Sequence, residues 1–285
     1  MTRGVVSATF ALAVALIATG VPVHGGARNA ADAGRQAAAG TSQQGAAGMG
    51  TIKGRVKLTG PAPANPPIRM GADPLCAKLA RESGKRPIQE LVVTDGNGGL
   101  ANAFVELQGT FTNVPAAPKD PVVIRQQGCV YSPRVVGIRV GQPLRLVNAD
   151  TLLHNLHGIS TKDNGFNHTQ PQSGAVDNFV MKSPETMLHV TCDVHSWMSA
   201  WVGVEPHPYF AVSGADGSFT IANVPAGRRT IRAWQERYGW ITQTIDVKPG
   251  AATTVDLSYT GSEKPATKAL EVLVPEGTLA FFSRQ

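Results

Sequence analysis

Cys192-Asp193-Val194-His195-Ser196-Trp197-Met198 places a thiol, an imidazole and a thioether on one short segment. These are soft and borderline ligands. Two histidines, a cysteine and a weak axial methionine make the donor composition of a trigonal blue-copper site, whose fourth group tunes the potential without binding tightly. Met198 argues against zinc, which favours Cys, His and carboxylates. A remote imidazole is still needed, and Asn148-Ala149-Asp150-Thr151-Leu152-Leu153-His154-Asn155 supplies His154 just past a strand-like run. The cysteine count agrees. The chain has three cysteines, Cys76, Cys129 and Cys192, and thiols in an oxidising compartment pair off. Joining Cys76 to Cys129 leaves Cys192 free for a metal. The plainer reading is a buried free cysteine beside an incidental histidine, or a disulfide to another chain. Ligand types, spacing, strand-end position and odd cysteine count together favour one copper ion.

Both segments resemble those of the cupredoxins. The Cys-x-x-His-x-x-Met spacing resembles the short ligand loop of the amicyanins, and the Asn-to-His-Asn segment is similar to the first-ligand region of the plastocyanins. The resemblance covers chiefly residues 130–205. It implies a Greek-key β-sandwich with His154, Cys192, His195 and Met198 as copper ligands and Asn155 as a brace just outside them. It further implies a one-electron carrier, not an enzyme, that docks a redox partner protein near an exposed His195 edge. Copper storage or delivery is the alternative, as is a cell-surface binding module with a structural metal. A multicopper oxidase or nitrite reductase needs His-x-His or His-Cys-His ligand pairs, and His154-Asn155-Leu156-His157 has two intervening residues. On an extended segment His157 faces away from His154 and reads as a surface or outer position. His24, His168 and His207 have no convincing partners, and Trp197 and Trp201 read as shielding for the site.

The elements that must hold these ligands read as strands. Thirty-one glycines, twenty prolines and many short β-branched runs argue for an all-β chain. Met187 to Cys192 alternates, with Leu188, Val190 and Cys192 facing the core and Met187, His189 and Thr191 facing out. Strand-like runs also cover Ile52 to Leu58, Glu90 to Val93, Ala103 to Leu107, Val122 to Ile124, Val135 to Val140 and Pro143 to Val147. Asp73-Pro74 reads as an N-cap and first helical residue of one short helix carrying Cys76. After Phe210 the texture changes to short alternating runs closed by Gly or Pro. There Asp216-Gly217-Ser218-Phe219 and Asn223-Val224-Pro225-Ala226-Gly227 resemble a carboxypeptidase regulatory-like, or transthyretin-like, sandwich. The whole layout resembles bacterial proteins of the methylamine-utilisation or plastocyanin-like kind.

The division that follows is a signal peptide over 1–25, a flexible leader over 26–50, a copper domain over 51–206, a smaller β-sandwich over 207–259 and a tail over 260–285. The first segment has one early charge, Arg3, then an apolar run and small residues, which is signal-peptide grammar. A periplasmic or secreted protein with no membrane span after cleavage is expected. The net charge is +6, and residues 51–90 carry eight Lys/Arg against three Asp/Glu. Such a face can steer an acidic partner. Basic residues are not interleaved with aromatics as in nucleic-acid binders, and no nucleic-acid partner is expected.

Overall fold

The computed structural model describes residues 48–264. The signal-like segment, nearly all of the leader and the run Leu270 to Val274 lie outside the described residues. Nearly every regular element is a strand. In chain order these are β1 (Met49–Leu58), the α-helix α1 (Pro74–Glu82), β2 (Phe104–Gln108), β3 (Val122–Gln126), β4 (Tyr131–Ser132), β5 (Val135–Arg139), β6 (Pro143–Asn148), β7 (His154–Ile159), β8 (Phe166–Gln170), β9 (Val176–Val180), β10 (Glu185–Thr191), β11 (Ser199–Glu205), β12 (Phe210–Val212), β13 (Ser218–Pro225), β14 (Gly227–Gln235), β15 (Gly239–Val247) and β16 (Ala252–Tyr259).

The middle of the chain forms one β-sandwich. A sheet ordered β5-β11-β10-β7-β8 faces a second ordered β4-β3-β6-β9. Ile124, Leu144 and Leu146 of the second sheet share one core with Leu156, Leu188, Val190, Val202 and Val204 of the first, and Cys192 and Met198 belong to that core. The ligand-bearing loop is therefore held from below by apolar packing. Two pairings in this sandwich, β5 with β11 and β3 with β6, are parallel.

The second sandwich corrects the expected division of the chain at residue 206. Its sheets are β13-β1-β16 and β12-β2-β14-β15, so β1 and β2 pair with strands from the far end of the chain. β1 runs antiparallel to β13 and parallel to β16. The shared core joins Ile52, Val56, Val105 and Leu107 to Phe219, Ile221, Ile231, Val255 and Leu257. Sequence order alone cannot show this, because alternation marks a strand as half-buried without naming its partner. The ligand-bearing sandwich is thus an insertion between β2 and β12.

Two smaller expectations also change. Glu90 to Val93 forms no strand; Asn65 brackets Val92 instead, donating from Nδ2 to its carbonyl (2.7 Å) and accepting its N–H on Oδ1 (3.0 Å). His189 does not face water. Its ring stacks on Trp201 with centroids 4.0 Å apart and 7° between planes, and Trp201 in turn meets Trp234 of the second sandwich. The back of the β5-β11-β10-β7-β8 sheet is covered by the neighbouring sandwich, so both faces of β10 are buried there. Met187 joins the same interface with Phe104, Val135 and Trp234.

The helix forms as its sequence dictates. Asp73 accepts the N–H groups of Leu75 (2.8 Å) and Cys76 (3.1 Å) on Oδ1, and Pro74 occupies the first turn. Cys76 is fully buried and bonded to Cys129, 53 residues on, which fulfils the expected pairing. Among the described residues, Cys192 is the free cysteine.

Candidate metal centre

Three of the four proposed ligands converge. His154 opens β7, Cys192 follows β10, and His195 lies on the loop between β10 and β11. The Nδ1 atoms of the two histidines are 3.1 Å apart, and Cys192 Sγ lies 3.7 Å from His195 Nδ1. One donor atom from each of the three residues falls within 4.8 Å of the others. His154, Cys192 and His195 are 0, 2 and 1% exposed. Met198 is buried in the same core as Cys192, and its N–H donates to the His195 carbonyl at 2.9 Å, closing the loop.

Asn155 braces these parts. Its N–H donates to Cys192 Sγ at 3.3 Å, its Oδ1 accepts the Asp193 N–H at 3.2 Å, and its Nδ2 reaches Asn167 and the His168 carbonyl on β8. Tyr131 adds a second brace from β4, with its hydroxyl 2.7 Å from the Asn155 carbonyl and 3.0 Å from that of Thr191. Asn148 holds the loop before His154, accepting the Asp150 N–H at 2.9 Å and donating to Leu152 and Gln170 carbonyls.

Two carboxylates in contact with the ligands were not legible as site residues. Asp150 Oδ2 lies 2.9 Å from His154 Nε2, and Asp73 Oδ2 lies 3.1 Å from His195 Nε2. Asp150 stood four residues before His154, a faint signal. Asp73 is 122 residues from His195 and declared itself only as a helix cap. Asp150 is anchored by the N–H groups of Gly128 (2.7 Å) and Cys129 (2.9 Å). Those two residues sit at φ 66° and 58°, as both central positions of a type I′ turn require, which aims the two donors at one carboxylate.

The electrostatics favour a cation at the centre. Burial opposes ionisation of Cys192, but the His154 imidazole and the backbone N–H of Asn155 overcome it and lower the thiol to about 7. Burial also disfavours a charged His154, yet Asp150 and Cys192 outweigh it and raise its pKa to about 9. Asp150 is held below its ordinary value, the bonds from His154, Cys129 and Gly128 outweighing burial. Hydrogen bonds from Cys76 and His195 hold Asp73 low as well. Ionised carboxylates only accept, so each ring places a hydrogen on Nε2 and turns Nδ1 toward the centre, where His154, raised above neutrality, also carries a hydrogen until a cation replaces it. Two Nδ1 atoms and a thiolate thus converge in a dry core, and a bound cation that displaces the Nδ1 hydrogen satisfies all three. The donors present fit a soft metal ion.

The expected exposed edge of His195 is not observed. α1 lies over this end of the sandwich, and Cys76 Sγ sits 3.6 Å from His195 Nε2. The ring of Trp197 packs 5.1 Å from the His195 ring and its Nε1 donates to the Cys129 carbonyl at 2.9 Å, so Trp197 does shield the site. Trp201 instead serves the junction between sandwiches. His157 pairs with Asp193 at 2.8 Å on the surface, outside the ligand cluster. His168 meets Asp177 on the surface, and His207 lies beside Glu205, both away from the centre.

No family model and no curated protein match the chain. Among solved structures it is similar over 34% of its length to the copper-containing nitrite reductase of Thermus scotoductus SA-01, at 20% identity and a TM-score of 0.29, and it spans 25% of that enzyme. It is similar over 29% of its length to 98% of a purple cupredoxin from Nitrosopumilus maritimus, at 23% identity and a TM-score of 0.26. It is also similar over 35% of its length to 98% of an amicyanin mutant in its Cu(I) form, at 16% identity and a TM-score of 0.27.

Proposed function

We propose that His154, Cys192 and His195 hold one mononuclear copper ion with Met198 as a weak axial donor, and that the chain is an exported one-electron carrier. The observation that carries this reading is the meeting of two imidazole Nδ1 atoms, 3.1 Å apart, beside a thiolate whose pKa is pulled down to about 7. Bound copper would supply a Cu(I)/Cu(II) couple. The protein supplies the rest: it holds the Nε2–H of both rings on carboxylates so that Nδ1 faces the ion, keeps the sulfur ionised through the Asn155 N–H, and excludes water. A preorganised site of this kind keeps nuclear rearrangement small when charge changes.

The closed site supports a carrier over a delivery protein, because release to an acceptor calls for a labile, accessible ion. The Cys76–Cys129 disulfide and the signal-like first 25 residues support an oxidising, extracytoplasmic location. No described helix is long and apolar enough to cross a membrane. The partner is another redox protein, and no chemistry on a substrate is proposed.

Visible absorption and EPR spectra of the Cu(II)-loaded protein test the reading. An intense thiolate-to-copper band is expected that bleaches on reduction, returns on oxidation and is abolished in Cys192→Ser. A colourless protein, or one that binds zinc equally well, overturns it.

A further inference from the structure

Asp73 and Asp150 occupy equivalent places around the centre, although they come from unrelated parts of the fold. Asp150 accepts the Cys129 N–H at 2.9 Å and faces His154 Nε2 at 2.9 Å. Asp73 accepts the Cys76 N–H at 3.1 Å and faces His195 Nε2 at 3.1 Å. Each carboxylate thus joins one half-cystine to one imidazole, and the Cys76–Cys129 bond ties the two halves together. We infer that Asp73 and Asp150 are paired positioning residues, coupled through the disulfide, that fix the tautomer and orientation of both histidines toward Cys192.

The inference rests on the metal reading for its purpose but not for its geometry. Neither aspartate offers its carboxylate to the centre, since both face the far nitrogen of a ring. A carboxylate on Nε2–H makes Nδ1 the better donor and stops the ring from turning, and loss of such a partner typically costs about 10–100-fold in metal affinity. Two negative charges behind the ligands, Asp150 buried and Asp73 partly exposed, also favour the more highly charged state of the ion. α1 delivers Asp73 through its own cap, and the disulfide keeps that cap against the sandwich. This gives the helix, otherwise an odd addition to an all-β chain, a role at the site.

Asp73→Asn and Asp150→Asn test the inference. At Asp73, whose Oδ1 accepts both backbone N–H groups, asparagine keeps the volume, that acceptor and the N-cap; at Asp150, whose Oδ1 and Oδ2 accept Gly128 and Cys129 separately, it keeps the volume and the Gly128 bond and gives up the Cys129 bond. Its amide –NH2 would instead donate to Nε2, moving the ring hydrogen to Nδ1. Each variant is expected to keep the thiolate band at saturating copper and to lose about 10–100-fold in Cu(II) affinity. The reduction potential should rise by about 59 mV for each tenfold by which Cu(II) is weakened more than Cu(I). Asp193→Asn, which removes a carboxylate next in sequence to Cys192 but bound to the exposed His157, should cause no comparable change. Wild-type affinity and potential in both Asn variants, or an equal shift in Asp193→Asn, overturn the inference.

A second readout needs no copper. In the metal-free protein at pH 10, 15N NMR should show both rings with hydrogen on Nε2, and each Asn variant should move it to Nδ1 in its own partner ring alone. Unchanged rings overturn the inference. A wild-type protein with these tautomers but no thiolate-to-copper band would refute the copper reading and uphold the paired aspartates.

Discussion

At the scale of single residues the proposed centre separates strong donors from a weak one. Cys192 and the two histidines meet through their donor atoms, whereas Met198, the proposed axial donor, belongs to the apolar core that also packs Leu188, Val190 and Val202. Met198→Leu keeps the shape of that core, so it should retain copper and shift the reduction potential upward, measured by redox titration of the visible band; loss of the metal would contradict an axial role. A second residue, His189, gives the fold a pH dependence. Burial against Trp201, aided by the Arg134 guanidinium and opposed by Glu236, lowers its pKa to about 4. The unfolded chain binds the proton near 6.5, so between these values the unfolded state holds more protons and stability rises with pH. The contribution is complete above pH 6.5 and is lost as pH falls through 4, amounting to about 3 kcal/mol at most. Urea unfolding at pH 7 and pH 4.5 should show a smaller acid loss in His189→Gln than in the wild type.

At the scale of elements, the site is closed by a helix that is linked to the sandwich by a covalent bond. α1 buries Cys76 beside Ile68, Met70, Cys129 and Leu152 in a small cluster above the ligands. That cluster is too modest to hold the helix strongly, which makes the disulfide its main constraint. With 53 residues between the two cysteines, loop-closure entropy assigns the bond about 4 kcal/mol. The double variant Cys76→Ser/Cys129→Ser should lose stability of that order in guanidinium unfolding, and amide exchange across residues 74–82 should accelerate more than exchange in β10. Equal protection of α1 in both proteins would show that packing alone suffices. The strands below are more robust, because β10 lies between β7 and β11 and is buried on both faces.

At the scale of the whole molecule, two sandwiches are made from one chain whose first and last described strands, β1 and β16, pair. β1 is the middle strand of one sheet and β2 is an inner strand of the other, so the C-terminal strands cannot complete the second sandwich themselves. A fragment spanning 207–264 should therefore give a disordered circular dichroism spectrum, and adding a fragment spanning 48–120 should restore strand signal. A folded 207–264 fragment would refute this dependence. The junction is made tight by two glycines on neighbouring strands. A Cβ at Gly203 would fall 2.4 Å from the Phe104 ring, and one at Gly137 would fall 2.4 Å from the Phe210 ring, so these positions receive aromatic side chains from the other sandwich.

What the sequence determined by itself was local chemistry and period. The Cys192-to-Met198 loop, the half-buried alternation of β1, the Asp73-Pro74 helix start and the odd cysteine were all readable, because each is set by neighbours within a few residues. The Cys76–Cys129 disulfide followed once Cys192 was reserved for a metal. What only the tertiary structure decided was partnership across long separations. That β1 joins β13 and β16, that His189 meets an aromatic ring instead of water, and that Asp73 crosses 122 residues to reach His195 depend on how sheets pack. The physical reason is that a strand's alternation specifies which side is buried but not what buries it, and a helix-capping aspartate has a second oxygen whose partner is chosen by the fold.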